Sequence, residues 1–143
     1  MKKSTNMLEY KFERTIPALP EDVFEGWLNP KVAGNLWNFA EKLIFDPKVD
    51  GFYYVMADNT PHYGRFTKME RPKRIEHTWV SPATLGQEST VSVTFKKQEK
   101  GTLMTLTHSE LPDNEGGRKH EAGWNYFLNI FPEQFKNGSS KSK

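Results

Sequence analysis

The chain has 143 residues, with twenty basic and eighteen acidic side chains, a formal net charge of +2 and no cysteine. This length is typical of one domain, which can fold without a disulfide or a structural metal. The absence of cysteine excludes disulfides, thiolate catalysis, Cys-ligated zinc and iron–sulfur clusters. The ten Phe, five Tyr and four Trp predict a core built of large side chains.

The first elements predicted are a strand and two short helices. Apolar and polar residues alternate from Tyr10 to Ile16, which indicates a half-buried strand. Apolar residues at helical spacing follow Pro20, a residue favoured in the first turn of a helix. Asn29-Pro30 ends that helix, and we expect a second short helix around Leu36 and Trp37.

The middle of the chain predicts a series of antiparallel strands. Apolar or alternating segments are separated there by turn residues, among them Asp50-Gly51 and Glu99-Lys100-Gly101. A longer turn, Asp58–Pro61, is expected to precede the third segment. The segments are Leu43–Phe45, Phe52–Met56, His62–Met69, Arg74–Val80, Thr90–Lys97 and Thr102–His108.

A helical period follows near the end of the chain. His120, Trp124, Phe127 and Phe131 recur at spacings of three and four residues, which predicts an amphipathic helix of about four turns. Pro132 lacks an N–H group, so we expect the helix to kink or fray there. Because the strands are grouped and the helices stand apart from them, the predicted class is α+β with an antiparallel sheet.

The two ends of the chain are predicted to be polar tails, at residues 1–7 and 136–143, around a single domain at residues 8–135. No signal peptide is expected, and the longest apolar runs fall far short of the roughly 20 residues that span a bilayer. We therefore predict a cytoplasmic protein that does not bind membranes. Five of the basic residues lie in the tails, so the remaining domain carries a net charge of −3.

The sequence carries few motifs of catalysis or nucleotide binding. A phosphate-binding loop, a dinucleotide-binding glycine motif and a nucleophile elbow are all missing. Gly116-Gly117 could cradle a phosphate, although glycines before a helix are more often loop residues. His108 and His120 could hold a metal with a nearby Glu if the loop folds back, but their spacing is not that of a metal motif. We therefore predict no metal and no cofactor. We also predict no nucleic-acid partner, because the basic residues form no stripe.

A series of segments resembles one protein family in the order and the spacing of its motifs. They are Phe12–Ala18, Pro20–Phe24, Leu28-Asn29-Pro30, Trp37, Gly51, Gly64-Arg65-Phe66, Arg71–Ile75, Thr78-Trp79, Ser89–Phe95, Thr102–Ser109, Leu111-Pro112 and His120-x-x-Gly123-Trp124. Together they resemble the START-like superfamily (SRPBCC, birch-pollen-allergen-like), and within it the bacterial domain similar to the C-terminal domain of the activator of heat-shock protein 90 ATPase. The resemblance covers residues 8–131.

The resemblance implies a helix-grip fold. In that fold, a curved antiparallel sheet of about six to seven strands wraps around a long C-terminal helix, and two short helices follow the first strand. Such proteins keep an elongated, largely apolar cavity between sheet and helix, which is the usual shape of a small-molecule site. The function that it implies is the binding of a small hydrophobic or amphipathic molecule by a monomer or weak homodimer.

Candidate ligand-binding residues are large aromatics, one arginine and one histidine: Phe12, Arg14, Trp37, Phe39, Tyr53, Phe66, Trp79, His108, Trp124, Phe127 and Phe131. We expect Trp37 and Phe39 at the mouth of the cavity. Arg14 shares a face with Phe12 and Ile16, and an inward-facing arginine must find an anion, either within the fold or on a ligand. A register shift of one residue would turn Arg14 outward.

Two other functions are implied by the same resemblance. One is a stress-related role as a co-chaperone-like regulator of a heat-shock protein 90 ATPase, which an exposed apolar patch would favour. The other is an enzyme of the cyclase or hydrolase type found among START-like folds. No pair of catalytic groups is placed by spacing, so we predict no catalytic residue, although geometry must decide such a question.

Overall fold

A computed structural model describes the backbone of residues 7–141 and the side chains of residues 7–136. Of the predicted tails, residues 1–6 and 142–143 lie outside the described residues, whereas Met7 belongs to a strand and residues 136–141 to a 3-10 segment. The strands are β1 Met7–Ile16, β2 Lys42–Phe45, β3 Phe52–Ala57, β4 Thr60–Glu70, β5 Arg74–Trp79, β6 Ser89–Gln98 and β7 Gly101–Pro112. The helices are α1 Pro20–Trp27, α2 Leu36–Phe39 and α3 Glu115–Ile130, with 3-10 segments at Pro82–Thr84 and Phe131–Lys141.

The strands form one seven-stranded sheet in the order β1-β7-β6-β5-β4-β3-β2. Every neighbouring pair is antiparallel. The strands from β2 to β7 follow one another as a meander, and β1 adds beside β7 at the far edge. The segment with α1 and α2 carries the chain from one edge of the sheet to the other. This arrangement confirms the predicted α+β helix-grip fold.

One core lies between the sheet and the helices. Alternate residues of each strand point into it, for example Tyr53, Val55 and Ala57 on β3, which are almost completely buried. From the other side α3 contributes Trp124 and Leu128. The large aromatic core that the composition predicts is therefore present.

Local sequence features begin the helices as expected. Pro20 starts α1, with Glu21 and Asp22 in the first turn, where acidic side chains favour the positive end of the helix dipole. Asn114 precedes α3, and its side-chain oxygen accepts a hydrogen bond of 2.7 Å from the backbone N–H of Gly117. That contact sets the start of the helix that carries half of the site described below.

The hairpin between β3 and β4 is tighter than predicted. Its turn consists of Asp58 and Asn59 alone, with φ angles of 52° and 57°, and Pro61 already lies in β4 opposite Met56. Left-handed backbone at two successive residues is typical of the type I′ turn that suits a twisted hairpin, and Asp and Asn adopt it most readily among residues with a side chain. The turn therefore extends β4 to Thr60.

The end of α3 agrees with the expected effect of Pro132. The α-helix stops at Ile130 and a 3-10 segment follows, in which Phe131 and Phe135 are buried. Phe135 packs against Gly26 of α1. Lys136, which we expected in a tail, lies at the surface and pairs with Glu133 at 2.8 Å.

Candidate functional site

A cleft with a volume of about 380 Å³ opens between α3 and the β3–β4 hairpin. The other parts of its wall come from α2, from β5 and from the 3-10 segment after β5. Most of the lining groups are aromatic or small and apolar, and a few are polar. The lining residues are Leu36, Phe39, Ala57, Asp58, Thr60, His62, Trp79, Ala83, Gly116, Lys119, His120, Gly123, Trp124, Tyr126 and Phe127.

The apolar wall is a layer of aromatic rings in edge-to-face or tilted contact. Trp79 and Trp124 lie 5.2 Å apart between ring centroids, and Phe127 lies 6.0 Å from Trp124. Phe39 packs on Phe127 at 5.4 Å and on Tyr126 at 6.1 Å. Phe39 and Tyr126 are about half exposed, so these two rings stand at the mouth. Such ring contacts hold the wall rigid.

His108 lies beneath the cleft in a closed hydrogen-bond chain. The indole Nε1 of Trp124 donates to His108 Nδ1 at 2.9 Å, so the ring proton is on Nε2, which donates to Ser89 Oγ at 2.8 Å. The Ser89 hydroxyl then donates to the backbone carbonyl of Trp79 at 2.8 Å. Burial lowers the pKa of His108 well below its ordinary value, and His120 and His77 add to that effect. A neutral His108 thus fixes the orientation of Trp124.

His120 is paired in the same way. The indole Nε1 of Trp79 donates to His120 Nε2 at 3.2 Å, and Nδ1 donates to the carbonyl of Gly116 at 3.0 Å. Burial lowers the pKa of His120, although the carbonyls of Gly117 and Gly116 oppose that shift. Both nitrogens of this ring are therefore occupied by the protein itself.

His62 differs from these two histidines because its ring makes no hydrogen bond of regular geometry with any other described residue. Its ring lies 5.1 Å from that of Trp79. Nδ1 is buried without a partner of hydrogen-bonding geometry, close to the backbone of Val55 and Thr60. Burial lowers the pKa of His62, nearby His120 acts in the same direction, and the two backbone groups partly oppose them.

Gly123 faces the open space of the cleft from the middle of α3. A Cβ at this position would meet no atom within 4 Å. Gly117, two turns earlier, contrasts with it, because a Cβ there would overlap the carbonyl of Pro112. The absence of a side chain at 123 keeps the cleft open along the helix.

The structure brings together four of the predicted site residues as cleft lining: Phe39, Trp79, Trp124 and Phe127. His108 lies directly behind them. Sequence reasoning missed His62 and Gly123 as lining residues, and it considered His120 only as a metal ligand. Gly123 could have been noticed, since glycine is unfavourable inside an amphipathic helix. His62 gives no such signal, because its position near Trp79 depends on the pairing of β3, β4 and β5.

Three predicted residues lie in the core instead. Trp37 is 2% exposed, and the rings of Tyr53 and Phe66 lie 5.0 and 5.9 Å from it. Trp37 therefore does not stand at the mouth, where we expected it beside Phe39. The Tyr53 hydroxyl donates to the carbonyl of Thr78 at 2.6 Å, and burial raises the pKa of that phenol. This cluster supports the sheet rather than the cleft.

The remaining predicted residues lie at the other end of the core. Phe131 packs on Trp27 at 5.0 Å, and Phe12 packs on Tyr10 at 6.4 Å. Neither belongs to the cleft lining.

Arg14 faces α3, as the alternation predicts, but it finds no anion. Among the described residues its hydrogen-bond partners are neutral oxygens: Oδ1 of Asn125 at 3.0 Å, Oδ1 of Asn129 at 3.3 Å and the carbonyl of Glu13 at 2.9 Å. The guanidinium is only partly buried. Amide oxygens and water are sufficient partners for a charge that is not desolvated, which is why the expected carboxylate is not needed.

The structure also bears on the metal and phosphate alternatives. Within the part of the chain that the structure describes, no three His, Asp or Glu side chains are grouped as metal ligands, although His108 and His120 lie 5.0 Å apart between ring centroids. The amide of Gly117 already donates to Asn114. No helix among the described residues is long and apolar enough to cross a membrane.

A long C-terminal helix gripped by an antiparallel sheet, with a cleft along that helix, defines a helix-grip protein of the START-like class. The family described as "Activator of Hsp90 ATPase homolog 1-like protein" matches the sequence over residues 17–136. The chain belongs to this family, which confirms the resemblance noted from its motifs. Among curated proteins, none matches the chain.

Solved structures share the fold. Protein MLL2253 from Mesorhizobium loti superposes with a TM-score of 0.75 at 20% identity, over 88% of this chain and 95% of that one. An AHSA1-like protein from Aeromonas hydrophila gives a TM-score of 0.70 at 20% identity, over 95% and 97% of the two chains. The Aha1 dimer from Colwellia psychrerythraea gives 0.73 at 15% identity, over 92% and 98%. At such identities the likeness concerns the fold alone.

Proposed function

We propose that the chain binds a small hydrophobic or amphipathic molecule in the cleft along α3. The observation that carries the proposal is the open space over Gly123 in a wall of aromatic rings. An interior glycine costs a helix about 0.5–1 kcal/mol relative to alanine, and here no close neighbour requires it. The geometry offers a physical reason for that cost, because a glycine at this position leaves room for a ligand.

The composition of the cleft supports the same proposal. Aromatic walls with a few polar groups at one side are typical of pockets for small organic molecules, and the volume of about 380 Å³ falls within their usual range. The indole donors of Trp79 and Trp124 are already bound to histidines. These two indoles therefore present apolar ring surface to a ligand.

The test combines native mass spectrometry of the purified chain with a thermal-shift panel of lipophilic compounds. A ligand at a hundredfold excess over its dissociation constant should stabilise the folded state by about 2.7 kcal/mol. Gly123→Leu should abolish co-purification and thermal shift, because the new side chain fills the cleft without a backbone clash. Ala122→Leu, at an adjacent exposed helix position that does not line the cleft, is the matched control.

Two results would contradict the proposal. In the first, the mass always equals that of the bare chain and no compound shifts the melting temperature. In the second, a compound that does bind is held equally well by the native chain and by Gly123→Leu.

A second candidate function, regulation of a heat-shock protein 90 type ATPase, is favoured by an apolar patch on the outer face of the sheet. Ile44, Phe52 and Tyr63 are 65%, 67% and 49% exposed. Strand pairing places Ile44 opposite Tyr54, and Tyr54 opposite Tyr63. Exposed apolar patches of this kind mark contact surfaces for other proteins.

A chaperone ATPase assay tests this second candidate. Stimulation by the native chain should be lost in Phe52→Ser and kept in Gly123→Leu, since the patch and the cleft lie on opposite faces of the sheet. An ATPase rate that is the same with and without the chain would exclude the activity.

A further inference from the structure

One histidine of the cleft differs from the others in its hydrogen bonding. The rings of His108 and His120 each accept a hydrogen bond from an indole and donate another to an oxygen of the protein. His62 lines the same cleft, yet neither of its nitrogens has a hydrogen bond within the described residues. Polar groups in an apolar setting are nearly always paired, so His62 is the cleft histidine that is left to make a hydrogen bond with a ligand.

The surroundings of His62 indicate which nitrogen that partner meets. Nδ1 is buried, and the backbone of Val55, the cross-strand partner of His62, and of Thr60 favours a proton on the ring. Nε2 is not among the buried unpaired atoms. A neutral imidazole with its proton on Nδ1 has its lone pair on Nε2, so the nitrogen on the accessible side of the ring is a hydrogen-bond acceptor.

We propose that His62 selects ligands that carry an uncharged O–H or N–H donor, which His62 Nε2 accepts while the flat apolar body of the ligand lies against Trp79 and Trp124. This inference rests on the proposed binding function and names the chemical class of its ligand. A donor on the ligand would give His62 Nε2 the hydrogen bond that it lacks among the described residues.

The same geometry disfavours an anionic ligand. A carboxylate has no proton to donate, so it would place its lone pairs against the lone pair of Nε2. Two charged residues also line the cleft: Asp58, which would repel an anion, and Lys119, whose ammonium pairs with Glu115 at 3.8 Å. Burying an ion without a partner is costly, whereas a hydroxyl that donates to imidazole loses little.

Three naphthalenes of similar size provide the test, with binding measured by equilibrium dialysis at pH 7.5. They are 2-naphthol, which donates a hydrogen bond; 2-methoxynaphthalene, which cannot; and 2-naphthoate, which is an anion. One neutral hydrogen bond changes affinity by about fivefold to tenfold. The native chain should bind 2-naphthol more tightly than 2-methoxynaphthalene by that factor and should bind 2-naphthoate least.

Three variants test whether His62 is the acceptor: one that lacks it, one that restores an acceptor and one control outside the cleft. His62→Phe keeps a ring but no acceptor, so both neutral compounds should bind it with equal affinity. His62→Gln keeps an acceptor oxygen and should restore part of the preference. Thr107→Val, which makes a polar-to-apolar change on the outer face of β7 away from the cleft, is the control and should leave the preference unchanged. Far-ultraviolet circular dichroism checks that each variant folds.

The outcomes separate the two proposals. If 2-naphthol and 2-methoxynaphthalene bind the native chain equally, or if the preference persists in His62→Phe, the role of His62 is overturned while binding in the cleft stands. Tightest binding of 2-naphthoate also overturns it. If none of the three binds and Gly123→Leu changes no thermal shift in the wider panel, both proposals fall.

Discussion

At the scale of single residues, the cleft depends on side chains that are absent or fully paired. Gly123 leaves the space open, and the pairing of His108 with Trp124 and Ser89 holds the wall behind it. The glycine reduces the stability of the helix, and the hydrogen bonds of His108 place polar atoms where water does not reach. Each makes a separate prediction about stability.

Gly123→Ala should raise the free energy of unfolding by about 0.5–1 kcal/mol, because alanine is the better helix former and its methyl group meets no neighbour. Urea denaturation measures the change. The control is Gly117→Ala in the same helix, which should destabilise the chain since its Cβ overlaps the carbonyl of Pro112. A loss of stability in Gly123→Ala would show that the space over Gly123 is not open.

Ser89→Ala should lower the free energy of unfolding by about 1–3 kcal/mol, since it leaves the buried Nε2–H of His108 without an acceptor. Ser92→Ala on the same strand is the control. It lies on the opposite face, partly exposed, and should change stability by less than about 0.5 kcal/mol. Equal effects of the two substitutions in urea denaturation would contradict the pairing of His108.

At the scale of elements, the β3–β4 hairpin decides where the polar side of the cleft lies. Its two-residue turn, Asp58-Asn59, sets the register that pairs Val55 with His62. The isolated pairing of Tyr63 with Val80 then brings this hairpin beside the end of β5, next to Trp79. A turn one residue longer or shorter would move every side chain of β4 to the other face of the sheet.

Asn59→Val should destabilise the chain by about 1–2 kcal/mol, because a β-branched residue is strained at the observed φ of 57°. Asn59→Gly, which has no Cβ, should keep or slightly raise stability. Thermal unfolding compares the two variants with the native chain. If valine were tolerated as well as glycine, the turn could not have its left-handed conformation.

At the scale of the whole molecule, all four histidines are wholly or largely buried around the cleft and the aromatic core. Burial lowers the pKa of each, for His77 to about 4, and the backbone of Thr78 and the neighbouring Glu76 oppose the shift of His77 only in part. In the unfolded chain their pKa values return to about 6.5. The unfolded state therefore binds more protons than the folded state below that pH.

Stability should consequently be constant from pH 8 to 7 and fall as the pH decreases below about 6.5. Each fully buried histidine contributes up to about 1.4 kcal/mol per pH unit, and His77 alone should contribute about 3 kcal/mol between pH 6.5 and 4. Urea denaturation at pH 7.5, 6.5, 5.5 and 5.0 measures this dependence. In His77→Phe the slope of the unfolding free energy against pH should be smaller by the contribution of about one proton. A stability that does not change down to pH 5 would contradict the burial of these rings.

Much of the fold could be predicted from the sequence because it depends on local patterns. The alternation in β1, the apolar spacing in α3 and the effect of Pro132 each follow from a few neighbouring residues. Arg14 shows the limit of this reasoning. Its direction toward α3 was predictable, but its partners, Asn125 and Asn129, lie more than one hundred residues away along the chain.

Periodicity and composition are enough to predict an α+β chain with large aromatics in its core and no thiol chemistry, since neither depends on distant contacts. Which aromatics face the cleft and which fill the core depends on how the elements pack: Trp79 and Trp124 line the cleft, whereas Trp37 is buried 5.0 Å from Tyr53. These rings all look alike in sequence. Strand register and the position of α3 separate them, because both depend on pairing between distant segments.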